Sequence, residues 1–320
     1  MKKTISLFLA FFLFFTGTVS AAFSDTREYL LSHVPDPTVS SVGGEWTVIA
    51  LAKCGEPVPE EYFLRYQNNL LTVLTEKDGI LHARKYTEYA RAVLALSAIG
   101  QDPQSFGGYN LLLPLADYDK TVLQGVNGAI WALIALDSGG YELPQLDDPT
   151  HQASRKRYLE KILSSQFSDG GWGFSDTSDP DLTAMALFAL SPYQNQEQVQ
   201  TAIQAGLSYL SETQNADGGF SVLGGESAES CAQVLAALSA LRISLSDERF
   251  QKNGHTVMDA LLSYENANGS YSHTKGGAEN LMATEQAFYA LSLNRAIKPE
   301  SPWKSIHTIL KAMIILGVYL

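Results

Sequence analysis

The sequence predicts an all-α protein, an α6/α6 toroid in which six helix-pair repeats form a double ring of helices. Three observations support this prediction. A short pattern, Ala-Leu followed by a small or polar residue, recurs six times inside apolar helical stretches. Gly-rich turns lie between most of the copies. No stretch alternates convincingly between apolar and polar residues, so we expect no substantial sheet.

The six copies of the repeat are spaced 45, 40, 54, 48 and 53 residues apart. They begin at Ala50, Ala95, Ala135, Ala189, Ala237 and Ala290. Each copy ends about three turns rich in Ala and Leu, the composition of a well-packed helix. An open solenoid is the alternative, but its units usually run about 33–47 residues and need polar caps. The longer spacings and the number six favour a closed ring.

Two turns between the repeats share a second motif, a Gln followed by a Gly pair and an aromatic residue. The segments are Gln166–Trp172 and Gln214–Phe220, with a degenerate third copy at 266–271, where Glu265 replaces the Gln. They resemble the QW repeats of the terpene cyclase and protein prenyltransferase β-subunit superfamily. The resemblance implies inner helices around a central cavity. We interpret the motif as structural: Gly171 and Gly219 are expected at positive φ, and the aromatic residue packs between helices.

The first residues have the features of an export signal. Lys2 and Lys3 precede a short apolar core over residues 5–15, and Val19-Ser20-Ala21 forms a small-residue cleavage site. We therefore predict a signal peptide over residues 1–21 and a single toroid domain over residues 22–320, located outside the cell or at its surface. The apolar segment 306–320 is too short to span a membrane comfortably. We expect it to be the last outer helix of the ring, the alternative being the stub of a truncated chain.

Charge and cysteine content limit the partners. The net charge is −12 and no basic run occurs, which argues against nucleic acid and anionic lipid. Cys54 and Cys231 lie in different repeats, and whether they pair is left open. The six histidines show no short metal-ligand spacing, so we expect neither a metal nor another cofactor.

The repeat register predicts which side chains face the central cavity. Positions eight and four residues before each Ala-Leu copy share one face of the inner helix, and this face is mostly polar or aromatic. A polar stripe on a buried helix is expected to meet solvent or a ligand. The predicted ligand-binding residues are Trp46, Thr87, Arg91, Asn127, Trp131, Asp181, Met185, Glu229, Gln233 and Gln286. The alternative is that the acids only cap helices and the Trp residues only fill the core.

Three resemblances bear on chemistry. Asp179-Pro-Asp181-Leu-Thr183-Ala184 resembles the acid motif of squalene-hopene-type cyclases, with Leu182 in place of its last acid. The Glu229-Ser-Cys231 segment is similar in spacing to two zinc ligands of the prenyltransferases, but the position of the third, a His, falls at Gln286. Asp181-Leu-Thr183-Ala-Met185-Ala resembles a helix start in intrinsic-factor-like cobalamin carriers, which are exported toroids that hold a ligand.

Taken with the charge and the register, these motifs favour a non-catalytic, exported toroid. We expect it to bind a small apolar or amphipathic ligand, or an exported protein partner, at its mouth. Catalysis is the alternative. It takes the form of cyclase-like acid chemistry at Asp179 and Asp181, or of carbohydrate chemistry with Asp181 and Glu229 as the carboxylate pair.

Overall fold

A computed structural model describes residues 23–222 and 225–297, and this part of the chain contains twelve α-helices. Helix α1 covers residues 23–33. The others are α2 (Trp46–Lys53), α3 (Glu60–Glu76), α4 (Thr87–Ala98), α5 (Tyr118–Thr121), α6 (Val126–Asp137), α7 (Arg155–Ser164), α8 (Pro180–Leu190), α9 (Glu197–Thr213), α10 (Ala228–Ala240), α11 (Val257–Leu262) and α12 (Leu281–Ile297). The signal peptide predicted over residues 1–21 and the segment 306–320 lie outside the described residues.

The even-numbered helices form a closed inner ring. Each packs against the next even-numbered helix along the chain, and α12 packs against α2. The first and sixth repeats are therefore neighbours, which confirms the predicted toroid and excludes an open solenoid. Five of these helices end within three residues of their Ala-Leu pair, whereas α12 continues to Ile297.

The odd-numbered helices form the outer ring, and α1 is its last member in space. The turn after α7 contacts α9, since a Cβ built on Gly170 would lie 2.5 Å from the Ala205 carbonyl oxygen. The equivalent turn after α11 contacts α1, because a Cβ on Gly269 would lie 2.4 Å from the Asp25 carbonyl carbon. Helix α1 thus closes the outer ring beside α12, where the Phe23 and Phe288 rings are 4.7 Å apart.

The Gln of each QW-like motif joins its own turn to the next outer helix or loop. Nε2 of Gln166 donates to the carbonyls of Gly170 and Ala202, both at 2.8 Å. Nε2 of Gln214 donates to Gly218 at 2.8 Å and to Phe250 at 3.2 Å. One side chain therefore satisfies two buried carbonyl groups in each repeat.

The glycine prediction was wrong by one residue. Gly170 and Gly218 have φ values of +90° and +84°, whereas Gly171 and Gly219 are not in the left-handed region. Gly171 is still restricted, since a Cβ there would lie 2.5 Å from the Ser178 side chain. The first glycine of each pair makes the turn, and the second allows close packing.

The core runs between the two rings, and sheet structure is slight. The aromatic residues of the motifs, Trp172 and Phe220, are fully buried. In the described residues the strands are limited to a two-stranded antiparallel pair, β1 (Ser221–Val222) and β2 (Gly225–Glu226), plus isolated bridges. Cys54 and Cys231 are both buried and unpaired. No helix in the described ranges is long and apolar enough to cross a membrane.

Candidate functional site

The inner helices all begin at the same end of the ring, which we call the mouth. At two of these helix starts a side chain caps the helix, and an acid follows in the first turn. Asp179 caps α8 by accepting a hydrogen bond of 2.7 Å from the Leu182 backbone N–H, and Ser227 caps α10 through the Ser230 N–H at 3.1 Å. Asp181 and Glu229 follow in the first turns of these helices, where the helix dipole favours negative charge.

Glu229 is buried, and one of its two carboxylate oxygens is paired. Its Oε2 lies 2.8 Å from Nδ1 of His273, whose side chain is more than half exposed. Within the described residues its Oε1 is buried and has no hydrogen-bond partner. His273 is held by its own backbone, because its carbonyl accepts the Ala228 N–H at 3.1 Å.

Asp181 is the neighbour of Glu229 on the next inner helix. Burial raises the pKa of Asp181 to about 6; a hydrogen bond from Ser230 opposes the rise, and the charges of Asp179 and Glu229 add to it. Its Oδ1 is also buried without a hydrogen-bond partner in the described part of the chain. Two adjacent carboxyl groups at the mouth therefore each offer an unused acceptor oxygen. Such oxygens suit a ligand with N–H donors or positive charge, or a proton held near neutral pH.

Below the mouth, aromatic side chains fill the centre of the ring. The rings of Trp46 and Trp131 are 5.4 Å apart, edge to face, and Trp46 is 5.3 Å from Tyr289. The cavity that remains beside them is about 20 Å³. This volume holds about one water molecule. The two predicted Trp residues do face the centre of the ring, but they close most of it rather than line an open pocket.

The other predicted residues are spread around the ring. Gln233 and Gln286 meet, with Nε2 of the first 3.0 Å from Oε1 of the second. Met185 is half-buried, and Thr87 is buried with its N–H bonded to the Gln124 side chain at 3.1 Å. Oδ1 of Asn127 is buried and, among the described residues, unpartnered. A ligand-binding role for these residues stays a prediction.

Arg91 contacts two acids that are outside the predicted set of ligand-binding residues. Its guanidinium lies 2.7 Å from Glu88 and 3.8 Å from Glu45. Glu45 is buried, and desolvation raises its pKa to about 8 against the opposing charge of Arg91. Arg91 is therefore engaged beside α2 and α4, rather than with Asp181.

A second buried carboxyl, Glu285, is the counterpart of Glu45 on α12. It accepts hydrogen bonds from the Gly43 N–H, at 2.8 Å, and from the Thr47 hydroxyl. Burial raises its pKa to about 7. A sequence signal existed for both acids, because they occupy one register position that holds Ala or Ile in the other four inner helices. His273 had no such signal, since it lies in a loop outside the repeat register.

Exposed apolar side chains surround the mouth. Six connections lead from an outer helix to the next inner helix, and five of them each contain or adjoin one such residue. These residues, which we call the apolar rim, are Val42, Ile80, Leu123, Phe174 and Met282. Phe174 is the most exposed, at 69%. Exposed apolar side chains that gather at one end of a molecule are a feature of interaction sites.

The zinc-like segment does not assemble a metal site. Cys231 is fully buried and lies near Gly219, while Glu229 turns to His273. Burial raises the pKa of the Cys231 thiol to about 12. In residues 23–222 and 225–297, no group of three or more His, Cys, Asp or Glu side chains is placed to hold a metal ion.

Comparisons with known proteins agree with a double ring of helices. Residues 110–279 and 194–313 match the prenyltransferase alpha-alpha toroid domain family, and the first match alone exceeds half of the chain. The chain belongs to this family. No curated protein matches it.

Solved structures share the fold at low sequence identity. The type II terpene cyclase MstE from Scytonema is 14% identical, with 88% of this chain and 99% of that chain covered and a TM-score of 0.56. For ent-copalyl diphosphate synthase from Streptomyces platensis the identity is 19% and the TM-score 0.52; 78% of this chain matches 49% of that chain, about half its length. Unsaturated glucuronyl hydrolase from Bacillus sp. GL1 is 14% identical, with 86% of this chain and 94% of that chain covered and a TM-score of 0.53. The fold is therefore a terpene-cyclase-like toroid.

Proposed function

We propose that the protein is an exported, non-catalytic toroid that binds a protein partner at its mouth and receives a basic side chain of that partner between Asp181 and Glu229. The observation that carries the proposal is the pair of carboxyl groups, each with one buried oxygen that has no hydrogen-bond partner in the described part of the chain. An arginine or lysine side chain supplies the N–H donors and the positive charge that these oxygens lack.

The apolar rim supports a protein partner over a small molecule. Its residues belong to five of the six connections at the mouth, so a single small ligand does not touch most of them. Small-molecule pockets usually enclose about 300–1,000 Å³. Below the mouth, Trp46 and Trp131 fill the centre of the ring and leave a cavity of about 20 Å³ toward the opposite end. A partner surface with an apolar border and a central cation matches both parts of the mouth.

The binding test uses a photoreactive amino acid at two matched positions. Phe174 is on the rim, whereas Leu64 is an exposed apolar residue of the outer helix α3. With the exported proteins of the native host, we expect one defined cross-linked partner from position 174 and none from position 64. Mass spectrometry of the cross-linked peptide should place a Lys or Arg of the partner close to the cross-link.

Removing the two acids separates specific binding from chance capture. The Asp181→Asn, Glu229→Gln double variant should lose the cross-link at position 174. A control double variant, Asp176→Asn with Glu212→Gln, removes the same charge at exposed positions and should keep it. Capture that survives the first double variant contradicts the proposal. A small molecule retained by the purified protein in native mass spectrometry, and lost in the first double variant, would support the small-ligand alternative instead.

Acid catalysis is the second candidate, favoured by the pKa of Asp181 at about 6. A carboxylic acid with that pKa is partly protonated near neutral pH, as a general acid requires. Glu229 is available as its partner in a carbohydrate reaction. Incubation with a polyprenyl alkene and, separately, with an unsaturated glucuronide tests both forms of the idea. Turnover that disappears in Asp181→Asn but not in Asp176→Asn would favour an enzyme over a binding protein.

A further inference from the structure

The inner ring holds a lysine at the end opposite the mouth. Lys53 is the last residue of α2, and its side chain borders the cavity of about 20 Å³. The other lining residues are uncharged: Trp46, Ile49, Leu94, Ala98, Trp131, Ile134, Phe188 and Tyr289. Lys53 is partly exposed at this end of the ring.

The Lys53 amine has few partners that stabilise its positive charge. Nζ donates one hydrogen bond, to the Ala98 carbonyl at 3.3 Å, and within the described residues it forms no ion pair. The nearby acid Glu56 is paired with Arg295 at 2.8 Å. Burial alone lowers the pKa of Lys53 to about 8.

The groups that face the cavity from the other helices do not stabilise the charged form of Lys53. Tyr289 is the one titratable side chain among them, and burial raises its pKa, so it stays a neutral phenol over the range in which Lys53 titrates. The C-terminal end of α2 favours a cation through the helix dipole. Burial acts in the opposite direction and lowers the pKa of Lys53.

We propose that Lys53 is a nucleophilic lysine that captures small apolar aldehydes as an imine. The neutral amine attacks the carbonyl carbon and forms a carbon–nitrogen bond. The resulting carbinolamine loses its hydroxyl group with one proton from nitrogen as water, which leaves the imine. No oxidant, reductant or cofactor is needed. The apolar walls favour the neutral amine and receive the alkyl group of the aldehyde. This site is independent of the mouth.

The size of the cavity limits the aldehyde. A space of about 20 Å³, enough for about one water molecule, accepts one methyl group beside Lys53, and the aromatic rings of Trp46 and Trp131 block deeper entry. Short aliphatic aldehydes such as acetaldehyde are therefore expected to react faster than benzaldehyde at Lys53. Exposed lysines have no wall of this kind and should discriminate less between the two.

The test is competitive reductive alkylation of the intact protein with acetaldehyde and cyanoborohydride, read out by peptide mass spectrometry. Lys156, whose side chain is 83% exposed, is the internal reference. At pH 7, Lys53 should be alkylated at least about tenfold faster than Lys156, because a lower pKa leaves far more of the amine neutral. The advantage should shrink as the pH rises toward 10.

Two variants keep the test decisive. Lys53→Arg should remove the fast-reacting site and leave Lys156 unchanged. Leu94→Gln places an amide at the cavity wall and should slow the labelling of Lys53 toward the rate of exposed lysines, whereas Leu64→Gln on the outer wall should have no effect. The proposal is overturned if Lys53 reacts no faster than Lys156 at pH 7, or if benzaldehyde labels it as readily as acetaldehyde.

Discussion

Replacing Asp181 by Asn should stabilise the protein at neutral pH, although the residue lies at the centre of the candidate site. The ordinary pKa of an Asp is 3.8, and in the folded chain burial raises that of Asp181 to about 6. A group with a raised pKa in the folded state favours folding when it is protonated. That contribution is complete below about pH 4 and is lost as the pH rises through 6.

The magnitude follows from the size of the shift. About two pKa units at 1.36 kcal/mol each give up to about 3 kcal/mol of lost stability between pH 4 and pH 7. Asn has nearly the same volume and keeps one oxygen for the Ser230 hydroxyl, but it carries no charge. The loss of a favourable charge–dipole interaction at the start of α8 offsets about 0.3–1 kcal/mol. We therefore expect Asp181→Asn to be more stable than the wild type at pH 7 by about 1–3 kcal/mol.

The assay is urea unfolding of both proteins at pH 4, 5, 6 and 7, with Asp176→Asn as the control. Asp176 is exposed in the loop before α8, so its replacement changes the net charge equally without removing a buried acid. The difference between wild type and Asp181→Asn should grow from pH 4 to pH 6 and then level off. A difference that does not depend on pH, or one that Asp176→Asn reproduces, would refute the reasoning.

Two further predictions concern the turn motif. Gly218→Ala should destabilise by about 2–4 kcal/mol, more than the 1–2 kcal/mol expected for Gly254→Ala. Both residues have φ near +84°, but a Cβ at Gly218 would lie 2.4 Å from the Thr256 carbonyl oxygen while one at Gly254 meets nothing within 4 Å; equal losses in chemical unfolding would argue against the clash. Trp172→Phe should cost about 2–3 kcal/mol, because it leaves a gap and removes the Nε1 donor that lies 2.8 Å from the Ile162 carbonyl. An unchanged unfolding midpoint would show that this bond does not matter.

The sequence predicted the fold well because the repeat acts at every level of the structure. The Ala-Leu pairs recur along the chain, and five of them mark the end of their inner helix, so six copies were enough to imply the ring. The error at Gly171 and Gly219 was local. The motif shows that a Gly pair makes the turn, but only backbone geometry shows which member of the pair has positive φ.

The candidate site was predicted in part, for a physical reason. Asp181 and Glu229 share a register position on neighbouring helices, so the repeat alone brings them together. His273 comes from a loop, and no periodic pattern fixes where a loop residue lies. The register also indicates which face of a helix points inward, but not whether large side chains fill the space. Trp46 and Trp131 were placed on the correct face, and their packing against Tyr289 is a tertiary property.

The two ends of the inner ring favour opposite charges, because the inner helices begin at one end and finish at the other. At the mouth, helix starts favour carboxylates through the dipole, yet burial raises the pKa of Asp181, one of whose oxygens has no partner among the described residues. At the other end, the helix terminus favours a cation, yet burial lowers the pKa of Lys53. In both places burial acts against the dipole, which is unfavourable for stability alone. The aromatic rings between the ends fill the centre of the ring, so each end has its own environment.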